Sequence, residues 1–259
     1  MTYIPYRDPN SIVMLAGPCA VESLEQTQEV AVMLKEQGLR WIRGGAFKPR
    51  TSRYSFQGLG EQGLAILQQV GAEQGLKTIT EVIDTPHAEM VHSYVDALQI
   101  GARNMTSYSL LKKVSAITGE SHKPVLFKRG MAATIDEWLM AADYVTADGN
   151  PSGMRCERGL RTFETSPRYT LDISAVPVVH QRSLFPVCVD VSHPAGQASL
   201  VPDLARAAIA AGADALMIEV HPNPKQAKSD GPQQLTCQQF VDLLASLRHL
   251  AAAMGKTII

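Results

Sequence analysis

A short apolar run, a compact polar motif and a longer amphipathic stretch recur eight times along the chain, and this repetition restricts the fold more than any single residue does. The runs are IVMLAG (12–17), LRWIRGG (39–45), KTITEV (77–82), DALQIGARN (96–104), PVLFKRG (124–130), MRCERG (154–159), PVCVDVSH (186–193) and DALMIEVH (214–221). Apolar runs of roughly four to eight residues suit strands buried on both faces. Helices are expected over 24–37, 60–74 and, last, 236–254. Eight strand-then-helix units predict an α/β fold closed into a single (β/α)8 barrel, and 259 residues match the roughly 250 such a barrel takes. The expectation is one catalytic domain over 1–259, in which 1–11 is an N-terminal arm too short for a separate regulatory domain.

A doubly wound open sheet is the runner-up. Gly58-Leu59-Gly60-Glu61-Gln62-Gly63 fits G-x-G-x-x-G, opens a helix and has Glu81 about twenty residues on. What precedes it is Arg53-Tyr54-Ser55-Phe56-Gln57 rather than a buried strand, so dinucleotide binding is set aside. Strand six has an awkward residue as well: Arg155 would be out of place if it pointed into the core.

Composition excludes several classes of function. With 24 basic and 25 acidic residues there is no global positive field for nucleic acid, so local cations need a local explanation. The N-terminus lacks a signal-peptide pattern and no apolar run nears the roughly 18 residues of a membrane span, which reads as a cytoplasmic protein without a membrane partner. Four scattered cysteines, Cys19, Cys156, Cys188 and Cys237, indicate neither a zinc ribbon nor a disulfide framework.

The densest chemistry is RGGAFKPRTS (43–52), which puts three cations, two adjacent glycines and two hydroxyls just after the second apolar run. Glycines allow close backbone approach to an oxyanion, Arg offers a planar fork of donors and Lys a compact charge. A phosphate site is one reading and a solvated basic loop the other. Arg43, Lys48, Arg50, Arg103, Lys128 and Arg158 converge from four units on one barrel mouth, where such barrels keep their active sites. Six cations suffice for two phosphates and a carboxylate, and they stand beside Gly in sequence rather than beside an acid.

Cys19, His193, Glu219 and Asp230 follow strands one, seven and eight, which are neighbours in a closed barrel, so a mixed S/N/O metal site is geometrically reasonable. Each also has a plain reading: a packing thiol, a helix cap or base, an ion-pair partner, a turn former before Gly231. Mixed ligands suit a Lewis-acid divalent ion better than a structural zinc.

The motifs GPCAVES, RGGAFKPRTS, QIGARN, KPVLFKRGM, ERGLRTFE, DVSHPAGQ and IEVHPNPKQAKSDGPQQL, in order from about Ile12 to Met254, resemble the 3-deoxy-D-arabino-heptulosonate 7-phosphate (DAHP) synthases. The resemblance is to their short branch, related to the 3-deoxy-octulosonate 8-phosphate synthases. It implies condensation of phosphoenolpyruvate with erythrose 4-phosphate at the entry to aromatic amino acid synthesis. It further implies one divalent ion (Mn, Fe, Co or Zn) on Cys19, His193, Glu219 and Asp230, and no organic cofactor. Arg43, Lys48, Arg103, Lys128 and Arg158 would cradle phosphoenolpyruvate with Glu81 nearby. Lys-Pro-Arg-Thr, with Arg50 and Thr51 at the phosphate, would take the four-carbon aldose, where the octulosonate synthases carry a Lys-Ala-Asn-Arg-Ser-Ser type motif. Lys48 and His193 would move protons beside Cys19 and Asp230, and Asp190 would orient His193. A homo-oligomer, tetramer or dimer, and no built-in feedback by aromatic amino acids complete the expectation. The alternatives are a synthase for another phosphorylated aldose, a Schiff-base aldolase using Lys128, and a metabolite-binding module without turnover.

Overall fold

A computed structural model of the protein describes residues 8–50 and 52–259. The chain alternates as the repetition demands. Eight strands, β1 (Ser11–Gly17), β2 (Trp41–Arg43), β3 (Lys77–Val82), β4 (Ala97–Ile100), β5 (Val125–Lys128), β6 (Gly153–Glu157), β7 (Val187–Asp190) and β8 (Ala215–Glu219), pair in parallel in chain order. The ring closes where β1 pairs with β8, Val13 opposite Ala215 through Gly17 opposite Glu219, and with β2, Ala16 opposite Ile42.

Helices α1 (Leu24–Glu36), α2 (Glu61–Gln74), α3 (Ala88–Tyr94), α4 (Tyr108–Ser121), α5 (Ile135–Thr146), α6 (Ala175–Arg182), a single turn α7 (Ser192–Ala195), α8 (Val201–Ala210) and α9 (Cys237–Ala253) cover the outside. A ninth strand, β9 (Thr257–Ile258), joins the start of β1, away from the mouth. Local sequence starts several helices: Ser23 accepts from the amide of Gln26 at the head of α1, and Thr134 with Glu137 and Thr236 with Gln239 form reciprocal capping boxes at α5 and α9.

Two apolar layers follow from the pleat, since successive side chains point to opposite faces. Val13, Leu15, Ile79, Leu126, Met154 and Met217 fill the barrel, while Ile12, Met14, Ile42, Phe127, Ile218 and the inner helix faces form the larger outer layer. On β6, Met154 and Cys156 point inward, so Arg155 between them points out between strand and helices. It is 1% exposed, with its guanidinium carbon 4.1 Å above the Phe185 ring. Strand six therefore stands, and its polar lead is resolved by facing Arg155 away from the barrel interior.

The G-x-G-x-x-G segment is explained without a nucleotide. Gly58 has φ 93°, and a Cβ there would lie 2.1 Å from the carbonyl oxygen of Ala46. The glycine is needed where two backbone segments touch at the Phe47–Gly58 bridge, and Gly60 then caps α2.

Candidate active site

The carboxyl ends of β1, β2, β5, β6, β7 and β8 bring most of the expected residues to one mouth. At its base is Cys19, fully buried just past β1. Its Sγ lies 3.0 Å from Lys48 Nζ, 3.2 Å from Ser229 Oγ and 3.3 Å from Asp230 Oδ2, and its amide donates to Gln234 Oε1 at 3.0 Å. Cys19, Glu219 and Asp230 each offer one donor atom within 4.8 Å of the other two, a spacing a single ion can bridge. Asp230 reaches this position through a left-handed backbone, φ 51°, a conformation that Asp tolerates better than most residues.

His193 stands at the side of this trio. Its Nε2 is 3.6 Å from Glu219 Oε1, while its Nδ1 lies 2.7 Å from Asp190 Oδ2. A carboxylate accepts only, so Nδ1 carries the proton and Nε2 keeps a lone pair facing Glu219. Burial pushes the His193 imidazole below its ordinary pKa despite Asp190 and Glu219, so it is neutral at neutral pH. Burial disfavours a charge on Asp190, but His193 and Lys128 together hold its carboxyl well below the usual range.

The cations divide into two kinds. Arg43 donates to the Pro18 carbonyl at 2.7 Å and to Glu219 Oε1 at 3.1 Å, and Lys128 donates to Asp190 Oδ2 at 2.5 Å. These two stand beside acids, contrary to the expectation drawn from their sequence neighbours, because the acids come from β7 and β8. Burial lowers the pKa of Lys128, but Asp190 outweighs it and keeps the ammonium charged. Arg50 and Arg158 are less committed. Arg50 Nη1 is 4.0 Å from Asp230 Oδ1, and Arg158 stacks 4.0 Å over the Tyr169 ring with a 3.4 Å bond to Gly159 O. Arg103 sits in the short turn after β4, and Glu81 accepts from Gln99 Nε2 at 3.1 Å. Thr51 lies outside the described residues.

Four residues of the site went unassigned in the sequence. Gln233 donates to Glu219 Oε2 at 2.6 Å, Gln234 holds the Cys19 amide, Ser229 meets the thiol, and Arg168 Nη1 reaches both Gln233 Oε1 at 2.6 Å and Asp230 Oδ1 at 3.3 Å. Ser229, Gln233 and Gln234 stand in the same SDGPQQL run as Asp230, a signal that was available; Arg168 offered none.

This donor set fits a divalent ion: a thiol, two carboxylates and an imidazole lone pair, with the imidazole's other nitrogen fixed by Asp190. Beside it lie cations free enough to meet anions.

Comparison with known proteins agrees with this chemistry. A family model described as the DAHP synthetase I family matches residues 7–255. A phospho-2-dehydro-3-deoxyheptonate aldolase of Thermotoga maritima is 47% identical over 242 residues, spanning 93% of this chain and 70% of the relative. A 2-dehydro-3-deoxyphosphooctonate aldolase of Caulobacter vibrioides is 34% identical over 252 residues, 90% of this chain and 85% of the relative. The crystal structure of the Thermotoga DAHP synthase superposes with a TM-score of 0.92 at 45% identity, covering 96% of this chain and 72% of that one. A truncated form of the Thermotoga enzyme gives 0.88 at 42% identity, covering 96% and 90%.

Proposed function

Because the chain belongs to the DAHP synthetase I family, we propose that its barrel mouth condenses phosphoenolpyruvate with D-erythrose 4-phosphate and water. The products are 3-deoxy-D-arabino-heptulosonate 7-phosphate and inorganic phosphate, the first step of the shikimate pathway. The observation that carries this reading is the meeting of a Cys19, Glu219 and Asp230 donor set with Arg and Lys side chains at the same strand ends.

Cys19, His193, Glu219 and Asp230 would hold the metal, which when bound supplies Lewis-acid polarisation and orientation of the aldehyde. Arg43, Lys48, Arg103, Lys128 and Arg158, with Glu81 nearby, hold the carboxylate and phosphate of phosphoenolpyruvate; Arg50 and Thr51 take the phosphate of the aldose. C3 of phosphoenolpyruvate bonds to the aldehyde carbon, whose oxygen takes up a proton. Water adds its oxygen at C2 and gives up both protons, one replacing that given to the aldehyde oxygen and one leaving on the phosphate, which is released as the bond from C2 to the bridging oxygen breaks and C2 becomes a ketone. The fixed cations offset charge as it moves, without reorganising. Lys48, beside the Cys19 thiol, is the proton donor we favour for the aldehyde oxygen. A Schiff base on Lys128 is disfavoured because its amine is held protonated by Asp190.

By family analogy the protein works as a homo-oligomer, dimer or tetramer. Among the described residues no helix is long and apolar enough to cross a membrane. The deciding experiment is phosphate release from phosphoenolpyruvate with erythrose 4-phosphate or arabinose 5-phosphate, before and after chelation and with divalent metal restored. Turnover with the four-carbon aldose, abolished by chelator and recovered with metal, is expected. Preference for the five-carbon aldose would move the substrate to that of the octulosonate relatives, and no turnover with either would leave only a binding role.

A further inference from the structure

The connection after β6 crosses the mouth and is pinned at both ends. Leu160 and Thr170 exchange two backbone hydrogen bonds, at 2.8 and 2.9 Å, closing residues 161–169 into a loop. The Tyr169 amide donates at 3.1 Å to the carbonyl of Pro194, next to His193. A Cβ on Gly196 would lie 2.5 Å from the Arg168 Cβ, so the loop is seated directly on the turn that follows His193. Two adjacent residues of this loop then reach into opposite halves of the site.

Arg168 reaches the metal half. A guanidinium only donates, so it selects the amide orientation of Gln233: Oε1 must face Arg168, and Nε2 is left to donate to Glu219 Oε2. Arg168 also donates to Asp230 Oδ1. Each carboxylate thus has one oxygen held from outside. The other oxygen of each faces the remaining donors: Asp230 Oδ2 is 3.3 Å from Cys19 Sγ, and Glu219 Oε1, which also accepts from Arg43, is 3.6 Å from His193 Nε2. Tyr169 reaches the anion half. Arg158 lies 4.0 Å over its ring, and the Arg168 guanidinium carbon is 5.7 Å from the same ring. Apart from Tyr169, the one hydrogen bond Arg158 makes among the described residues is its 3.4 Å contact with Gly159 O. The aromatic face is therefore what fixes this buried guanidinium.

We propose that Arg168 and Tyr169 form a positioning clasp: Arg168, directly and through Gln233, sets which oxygens of Asp230 and Glu219 face the metal, and Tyr169 holds Arg158 toward the phosphoenolpyruvate anion. The clasp rests on the proposed reaction and adds two residues that touch neither metal nor substrate. It makes a separable prediction, since each residue acts through a different half.

The test compares wild type with Arg168→Met, Arg168→Lys, Tyr169→Ala and Tyr169→Phe. Co2+ is titrated into chelator-treated protein and followed by its thiolate charge-transfer absorbance; phosphoenolpyruvate is titrated calorimetrically into metal-saturated protein. Arg168→Met is expected to weaken Co2+ about ten- to a hundredfold, the usual effect of losing a group that orients ligands, with Arg168→Lys in between. Tyr169→Ala is expected to weaken phosphoenolpyruvate several-fold while Co2+ affinity stays within twofold, and Tyr169→Phe, which keeps the ring, to retain most of the binding. Wild-type Co2+ affinity in both Arg168 variants, or parallel loss of both ligands in every variant, would overturn the clasp. If the wild-type protein itself binds neither Co2+ nor phosphoenolpyruvate, the proposed function falls instead.

Discussion

Cys19 enters the mouth as a thiol. Burial, with Glu219 next, pushes its pKa up to about 12, and Lys48 and Arg43 only partly oppose them. A thiol must lose its proton to ligate, so metal uptake releases that proton. Calorimetry of Co2+ or Mn2+ binding in two buffers of different ionisation enthalpy should show close to one proton released per ion. Apparent affinity should climb roughly tenfold per pH unit through neutrality. Uptake with no proton release would remove Cys19 from the ligand set. A second residue-scale prediction concerns Arg50, whose nearest carboxylate is 4.0 Å away and whose Nε has no partner among the described residues. Arg50→Ala should raise the KM for erythrose 4-phosphate at least tenfold more than that for phosphoenolpyruvate; equal effects would contradict its assignment. That Cys19, Glu219 and Asp230 would meet was legible in the sequence because Cys19 and Glu219 stand at the ends of neighbouring strands and Asp230 in the loop after β8. Arg168 and Tyr169 could not be read there: their roles depend on where a loop lands on residues over sixty positions away or on a turn of another unit.

At the scale of single elements, β6 carries an unusual burden. Nε and Nη1 of Arg155 are buried with no hydrogen-bond partner among the described residues, and burial drags its pKa down to about 10. The stack on Phe185 returns only about 1 kcal/mol. Asp143 only partly offsets that burial, so replacing this weakly compensated charge by a side chain of similar length should stabilise: Arg155→Met is expected to add about 1 to 3 kcal/mol in urea denaturation, and a loss of that size would show that the guanidinium has a closer partner in solution. The start of β8 gives the opposite case. Asp214 accepts from the Val187 amide at 2.8 Å and from His180 Nε2 at 2.7 Å. Burial disfavours its charge, but His180 and that amide win, and its pKa falls below the ordinary 3.8. A depressed carboxyl stabilises fully above its unfolded pKa and loses the contribution as pH falls through its folded one. Asp214→Ala should cost about 1 to 3 kcal/mol at pH 7, with the gap to wild type narrowing as pH drops below 4. The length and polarity of β6 blurred its boundary in sequence because an outward-facing Arg looks the same in one dimension as a misplaced one.

Across the whole molecule, alternation of apolar runs with amphipathic stretches was enough to specify a closed parallel barrel, because each strand is covered on both faces and the pattern repeats eight times. What alternation could not convey is which cations end up beside acids. Arg43 and Lys128 meet Glu219 and Asp190 only because closure of the ring puts β2 and β8 on either side of β1, and β5 and β7 on either side of β6. Size-exclusion with light scattering at micromolar concentration should return a dimer or tetramer; a stable, active monomer would detach this chain from the assembly expected by analogy.

Three of the four candidate metal donors lie at the two ends of the ring's sequence, Cys19 just after β1 and Glu219 and Asp230 some two hundred residues later, and they come together where β1 lies against β8. A chain leaving the ribosome exposes its first ligand long before the others exist. If these residues hold the ion, its capture would be a late event of biosynthesis, since a nascent chain that stops before β8 would carry Cys19 and His193 but neither carboxylate.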